Sequence, residues 1–336
     1  MKYTMLLWPH ANVRYQNETL KLAEGELRLM LDALLPEARI AVCDGFILPA
    51  LQIEAPGALE ESVLASLRAH SLMYGLFEQR GDGSLLPVAG RSEARVGADL
   101  PGILKYKGKT NEMFMELLTN AALYSSGFAH RAGERLELLD PMFGRGTELY
   151  VAANRGWNAA GTDVDRRDLG EAERFLKHYF EFHRMKHGLT RESRTVSGKS
   201  VPVSRFEFAG DPGKFHEGDR QSLRLANADA ARARDVFGRE KFHMIVCDLP
   251  YGVQHGAVGG RPEELLQRAL PAWREALKKG GTVALSFNAQ TLRREKVLRL
   301  LEDAGFEAKR GGAHEGFSHW VEQAVTRDIA VGRRQN

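Results

Sequence analysis

The segment Leu138-Leu139-Asp140-Pro141-Met142-Phe143-Gly144-Arg145-Gly146-Thr147 constrains this chain more than any other. An apolar run ends in an acid and a proline, passes two closely spaced glycines and reaches a residue type that begins helices. The pattern reads as strand, tight turn, helix. Gly144 and Gly146 permit positive φ and let a ligand approach the backbone. Thr147 is placed to cap the helix that follows. In doubly wound sheets this turn, after the first strand, is where nucleotides bind. The same residues also suit a tight turn that binds nothing. The third glycine of the dinucleotide pattern G-x-G-x-x-G is missing, and no Gly-Lys-Ser/Thr follows as in a P-loop.

The surrounding pattern supports such a sheet. A helix over 111–126 precedes a strand at 135–139. Helix 147–154, strand 158–162 and helix 168–187 come next. Residues 188–225 are polar, basic and broken by Gly and Pro, with a third strand expected at 222–225. A strand at 243–248, a helix at 262–279, a strand at 282–287, a helix at 291–304 and two strands near 306–311 and 319–328 complete the chain. Alternating strands and helices imply a mostly parallel sheet covered on both faces. The closing strand pair suits an antiparallel edge. Ahead of this, strands at 3–8, 39–43, 46–53 and 73–79 with helices at 17–34 and 59–71 give the order β-α-β-β-α-β of a ferredoxin-like domain. A Gly-rich, charged stretch at 80–95 reads as a linker. The expected organisation is a small α+β unit over 1–95 and a Rossmann-like unit over 96–336, with a basic insertion near 188–225.

Two acids stand where a nucleoside would meet the sheet. Asp163 lies about 20 residues past the turn, the spacing at which an acid reaches ribose hydroxyls. Asp229, beyond the third strand, can accept from an adenine amine. Solvated turn positions are the plainer alternative for both. With Asp140-Pro141 ahead of the glycines, the loop points away from a nicotinamide cofactor and toward S-adenosylmethionine.

Asp248-Leu249-Pro250-Tyr251 follows the strand at 243–248. An exocyclic amine on a base has its lone pair delocalised into the ring. Accepting both of its hydrogens pushes the nitrogen toward a tetrahedral, nucleophilic state. The Asp248 carboxylate can supply one acceptor and the Leu249 carbonyl the other. Pro250 restricts the backbone and so aims that carbonyl. Tyr251 offers a ring for base stacking, worth roughly 1–3 kcal/mol. Direct transfer then needs placement rather than a metal. A buried aspartate capping a Pro-containing turn is the structural alternative.

These motifs resemble class I methyltransferases, and more narrowly the tRNA guanosine-N2 methyltransferases and their bacterial relatives. Those enzymes carry an Asp-Pro-Met-x-Gly-x-Gly-Thr loop and an Asp-Pro/Leu-Pro-Tyr-Gly motif. A third match is Tyr106-Lys107-Gly108-Lys109-Thr110-Asn111-Glu112. The resemblance spans roughly residues 100–330. It implies that Lys109, Thr110 and Asn111 help cover the methionine end of the cofactor, and that the substrate is RNA, with tRNA first. Phe143 departs from a frequent cysteine. The N-terminal region is too short for the linker and THUMP domains of the longer members together. Adenine-N6 or cytosine-N4 methylation, on RNA or DNA, uses the same acceptor geometry. A non-catalytic RNA-binding protein with a methyltransferase-like core is a third reading.

A net charge of +3 and a pI near 8.8 fit a polyanionic partner without requiring one. Basic residues gather over 177–205, among them Arg184, Lys186, Arg191 and Arg194, and can lie along a phosphate backbone. A solvated face is the alternative. His255 is a further candidate for substrate contact. Two distant cysteines and no Cys/His spacing argue against a zinc site or a disulfide. With a disulfide disfavoured, a reducing cytoplasm is the expected compartment, and the first ten residues match neither a signal peptide nor a membrane span.

Overall fold

In the computed structural model the described residues are 1–9, 13–106, 108–250 and 261–335, the side chains of 13–17 excepted. Two sheets organise them. The first is built from β1 (Lys2–Leu7), β2 (Arg39–Cys43), β3 (Ala50–Glu54), β4 (Met73–Gln79) and β5 (Leu85–Gly90), with α1 (Val13–Leu34) and α2 (Glu61–Leu67). Its order is β2-β3-β1-β4-β5, all antiparallel. The first four strands have the ferredoxin-like arrangement. β5 falls inside the expected linker: Leu85 and Leu86 pair with Gln79 and Glu78 and extend the edge. The strand expected from residue 46 begins at 50, and the helix expected over 59–71 is shorter.

The second sheet follows α3 (Leu100–Ile103) and α4 (Glu112–Tyr124). Its strands and helices run β6 (Glu137–Asp140), α5 (Thr147–Asn154), β7 (Asn158–Asp163), α6 (Arg166–Phe182), β8 (Lys186–Val196), β9 (Lys199–Ala209), α7 (Pro212–Glu217), β10 (Gln221–Asn227), α8 (Ala233–Phe237), β11 (Phe242–Asp248), α9 (Pro262–Ala276), β12 (Leu277–Asn288), α10 (Arg294–Asp303), β13 (Glu307–Ala308), β14 (His319–Glu322) and β15 (Val325–Arg333). The strand order is β13-β15-β12-β11-β6-β7-β10-β9-β8, with β14 on β15. Strands β10, β7, β6, β11 and β12 are parallel, and β15 is antiparallel to β12. Phe242 through Cys247 are all buried, as expected of a strand covered on both faces.

The stretch 188–225 is the main departure from expectation. Most of it is a β-hairpin, β8–β9, paired antiparallel to β10. Val201, Val203, Phe206 and Phe208 are buried, which anchors β9. Helix α6 stops at Phe182, and Arg184 turns the chain with φ of 53°.

Helix α4 is apolar nearly all round because it is enclosed, with Leu117 through Tyr124 buried between α1 of the first unit and the second sheet. Polar groups fasten the same junction. Glu26 of α1 accepts from the Ser71 N–H at 2.9 Å and from Asn120 Nδ2 at 2.5 Å. Arg155 donates to Asn120 Oδ1 at 2.6 Å. Among the described residues no helix is long and apolar enough to cross a membrane.

Candidate active site

β6 and β11 are neighbouring parallel strands, with Leu138 opposite Met244 and Leu139 opposite Ile245. Their carboxyl ends therefore lie side by side. One carries the glycine turn and the other Asp248.

The turn is held by its own residues. Asp140 Oδ1 accepts from the Met142 N–H at 3.0 Å. Thr162 Oγ1 donates to the Pro141 carbonyl at 2.8 Å, and the Phe143 N–H donates to the Thr162 carbonyl at 3.3 Å. Gly144 and Gly146 have φ of 53° and 97°. Among the described residues, a Cβ on Gly144 would meet nothing within 4 Å, whereas one on Gly146 would sit 2.8 Å from the Tyr150 ring. Gly144 thus faces open space and Gly146 faces the packed base of the turn. Gly146, not Thr147, is the N-cap of α5. Thr147 is already inside the helix, with its hydroxyl close to the Tyr106 phenol. Burial pushes the Tyr106 phenol up to about 12. The Arg145 guanidinium lies 4.9 Å from the Tyr106 ring centroid. Tyr106 therefore covers the turn, a role its residue type alone did not disclose.

Asp163 ends β7. Its carboxylate accepts from the Gly144 N–H at 2.9 Å and the Asp165 N–H at 2.8 Å. The acid read as a ribose partner also ties the turn to the neighbouring strand. Asp229 caps a 3₁₀ turn by accepting from the Ala231 N–H at 2.8 Å, and pairs with Arg268 at 3.5 Å. Both carboxylates are half-buried.

Asp248 accepts from Thr110 Oγ1 at 2.5 Å. Arg327 of β15 approaches the same hydroxyl at 3.4 Å and stacks on Phe114 with its guanidinium 4.3 Å from the ring centroid. Thr110 thus meets Asp248 directly. Its neighbours have local duties: Asn111 caps α4 by accepting from the Met113 N–H at 2.8 Å, and Lys109 donates to the Pro101 carbonyl at 2.6 Å. Leu249 is buried and its N–H donates to the Ser286 carbonyl at 2.9 Å, while Pro250 is exposed. Tyr251 and His255 lie outside the described residues.

Carboxyls crowd this edge. Asp140 and Glu148 are 1% and 6% exposed. Burial pushes the Asp140 carboxyl up to about 8, and the Asp163 and Asp248 charges add to the rise. Glu148, in the first turn of α5, missed by sequence reasoning, is raised by burial and then by the Asp140 and Asp248 charges. Asp163 is raised by burial.

The basic residues gathered over 177–205 stand elsewhere. Arg191 of β8 pairs with Glu173 of α6. Arg194 pairs with Glu192 at 3.2 Å and donates to the Val236 carbonyl at 2.7 Å. Arg205 pairs with Glu207 at 2.6 Å. Arg184 and Lys186 are exposed at the start of the hairpin.

No protein-family model matches the chain, and no curated protein matches it. Similar solved structures include a TehB-like SAM-dependent methyltransferase from Corynebacterium glutamicum, at 15% identity and a TM-score of 0.35, over 60% of this chain and 80% of that one. A magnesium protoporphyrin IX methyltransferase from Synechocystis is 13% identical with a TM-score of 0.42, over 70% and 88%. An rRNA methylase from Streptococcus thermophilus is 11% identical with a TM-score of 0.33, over 60% and 89%. Likenesses this distant carry nothing about activity. The strand order itself, with β6 central and β15 antiparallel beside β12, defines the class: a Rossmann-like class I methyltransferase fold, preceded by a small α+β unit.

Proposed function

We propose that the chain is an S-adenosylmethionine-dependent methyltransferase acting on an exocyclic amine of a nucleic-acid base, N2 of guanosine in structured RNA such as tRNA. The observation that carries this reading is the placement of Asp248, held by Thr110, on the strand beside the one bearing the glycine turn. The residues fit the cofactor. Among the described residues, Gly144 faces open space and the buried Asp140 Oδ2 has no hydrogen-bond partner. Asp140, Pro141, Met142 and Gly144 would line its path, with Gly146 shaping the turn beneath and Asp163 and Asp229 toward the nucleoside. When bound, the cofactor supplies an electrophilic methyl group. Asp248 and the Leu249 carbonyl orient and polarise the amine, and Asp248 takes up its surplus proton. A paired guanine must be flipped out to reach this edge, at a cost of a few kcal/mol. Arg184, Lys186 and the 1–95 unit would hold the flanking helix by shape and phosphate.

The test is incubation with unmodified RNA and tritiated cofactor, followed by digestion to nucleosides. Label in N2-methylguanosine is expected. Label only in N6-methyladenosine or N4-methylcytidine would overturn the guanine assignment and leave the amine chemistry. Label in DNA alone would overturn the substrate class. Cofactor binding with no transfer to either polymer would favour a non-catalytic core.

A further inference from the structure

Arg327 brings a guanidinium into the interior near Asp248. It is 7% exposed, and a buried arginine is costly unless its surroundings receive it. Its place follows from the sheet. Asp248 lies opposite Ser286 of β12, and Ser286 lies opposite Ile329 of β15. Arg327 is two positions from Ile329, so it shares that residue's face. Because β15 runs antiparallel to β12, Arg327 falls opposite Asn288, at the carboxyl end of the parallel strands. It therefore stands level with the reacting edge and two strands from β11, a gap of roughly 10 Å.

Thr110 fills that gap. Its hydroxyl oxygen is 2.5 Å from Asp248 Oδ2 and 3.4 Å from Arg327 Nη2. The chemistry of the groups sets the direction of the chain. A guanidinium can only donate hydrogen bonds, and a hydroxyl has a single proton. Thr110 thus accepts from Arg327 and spends its one proton on Asp248. A donor chain that begins on a cation polarises and strengthens the bonds along it. Phe114 is the second hold on Arg327, with its ring centroid 4.3 Å from the guanidinium carbon. It lies four residues past Thr110 in the first turn of α4, so Arg327 grips the start of that helix at two points. The next acid along β15, Asp328, pairs with Arg294 at 3.1 Å.

We propose that Arg327 is a positioning residue for methyl transfer, acting through the Thr110 hydroxyl to fix the orientation of the Asp248 carboxylate. The inference rests on the reading of Asp248 as the acceptor for the amine. With the guanidinium removed, the Thr110 hydroxyl can turn its proton to another acceptor, and the carboxylate loses its fixed plane. The amine then meets the methyl group out of line, which slows transfer without loosening the cofactor. A residue that only braced the fold would instead lower stability and act independently of Thr110.

The experiment is a double-mutant cycle on single-turnover transfer to unmodified RNA, with cofactor affinity measured on the same folded preparations. Arg327→Met keeps an apolar stem against Phe114 and removes the donor. It should slow transfer about 10-fold, the low end for a hydrogen bond from a charged group, with cofactor affinity almost unchanged. In the Thr110→Val background the same change should cost less than about twofold more, because residues that act as one unit are not additive. Arg327→Lys, which keeps a charged donor, should recover most of the rate. Where Arg327→Met fails to fold, the shorter polar Arg327→Gln takes its place in the cycle. Losses that multiply in the double variant, or affinity lost in step with rate, would overturn the proposal and leave the reading of Asp248 standing. A folded wild type that transfers no methyl to RNA or DNA would overturn both.

Discussion

The edge where β6 and β11 end and the hairpin β8–β9 are both rich in charge, and they use it in opposite ways. At the β6–β11 edge four carboxyls, Asp140, Glu148, Asp163 and Asp248, converge with no arginine or lysine ion-paired to Asp140, Glu148 or Asp163 among the described residues. Polar groups of the backbone, Thr110 and Tyr106 hold the frame, and among the described residues Asp140 Oδ2 is left without a donor. On the hairpin, Arg191, Arg194 and Arg205 each find a carboxylate of this same chain. A run of basic residues is thus not a count of free positive charge. Uncompensated charge of one sign, held by a rigid frame, is the better sign of a place for a ligand.

The two glycines of the turn give the largest expected effects and separate frame from ligand surface. Gly144→Val leaves the packing alone and projects into open space, so cofactor affinity should fall on the order of 100-fold, about 2.7 kcal/mol, with only the cost of its positive φ to the fold. Gly146→Val forces a β-branched residue to a φ of 97° against the Tyr150 ring, and should lower stability by roughly 1–3 kcal/mol or more. Calorimetry and thermal melts on both variants check this. Equal losses of stability would mean that Gly144 also belongs to the packing.

Thr110→Val comes next. It removes a hydrogen bond to an ionised group, worth about 1.5–3 kcal/mol, so turnover should drop roughly 10- to 100-fold with cofactor affinity almost unchanged. A fall in affinity instead would move Thr110 to the cofactor side.

The smallest effects belong to the hairpin. Reversing charge at Arg184 and Lys186 should weaken RNA binding and reduce the slope of log affinity against log salt by about 0.7–0.9 per lost phosphate contact. Reversing Arg191 and Arg194 should change the slope less and loosen the hairpin more, because each already holds a partner. Filter binding across a salt series separates the two pairs, and a larger slope change at Arg191 and Arg194 would reverse the comparison.

What the sequence disclosed follows the range of the interactions. The turn, the place of Asp248 and the mostly parallel sheet came from local patterns: glycine spacing, the apolar runs at 138–139 and 243–247, and their alternation with helices. Helix 147–154 was legible to the residue. The hairpin was not, because its buried residues change phase, from Val201 and Val203 to Phe206 and Phe208, and so break the alternation. β5 was hidden by glycines on either side. The partners of Arg191 and the contact of Thr110 with Asp248 across 138 residues depend on tertiary placement. Capping of α5 failed for a local reason: Gly146 adopts the left-handed conformation that a threonine at that point would resist.

The central claim is a division of labour, with the β6 turn holding the cofactor and Asp248 on β11 acting on the amine. Its most direct test is Asp248→Ala, measured for cofactor affinity and for single-turnover methyl transfer on the same folded preparation. Affinity should stay within a few-fold of wild type while transfer falls on the order of 100- to 1,000-fold, the usual cost of removing one oriented polar group from a reacting centre. Cofactor affinity lost in step with transfer, or transfer retained, would contradict it.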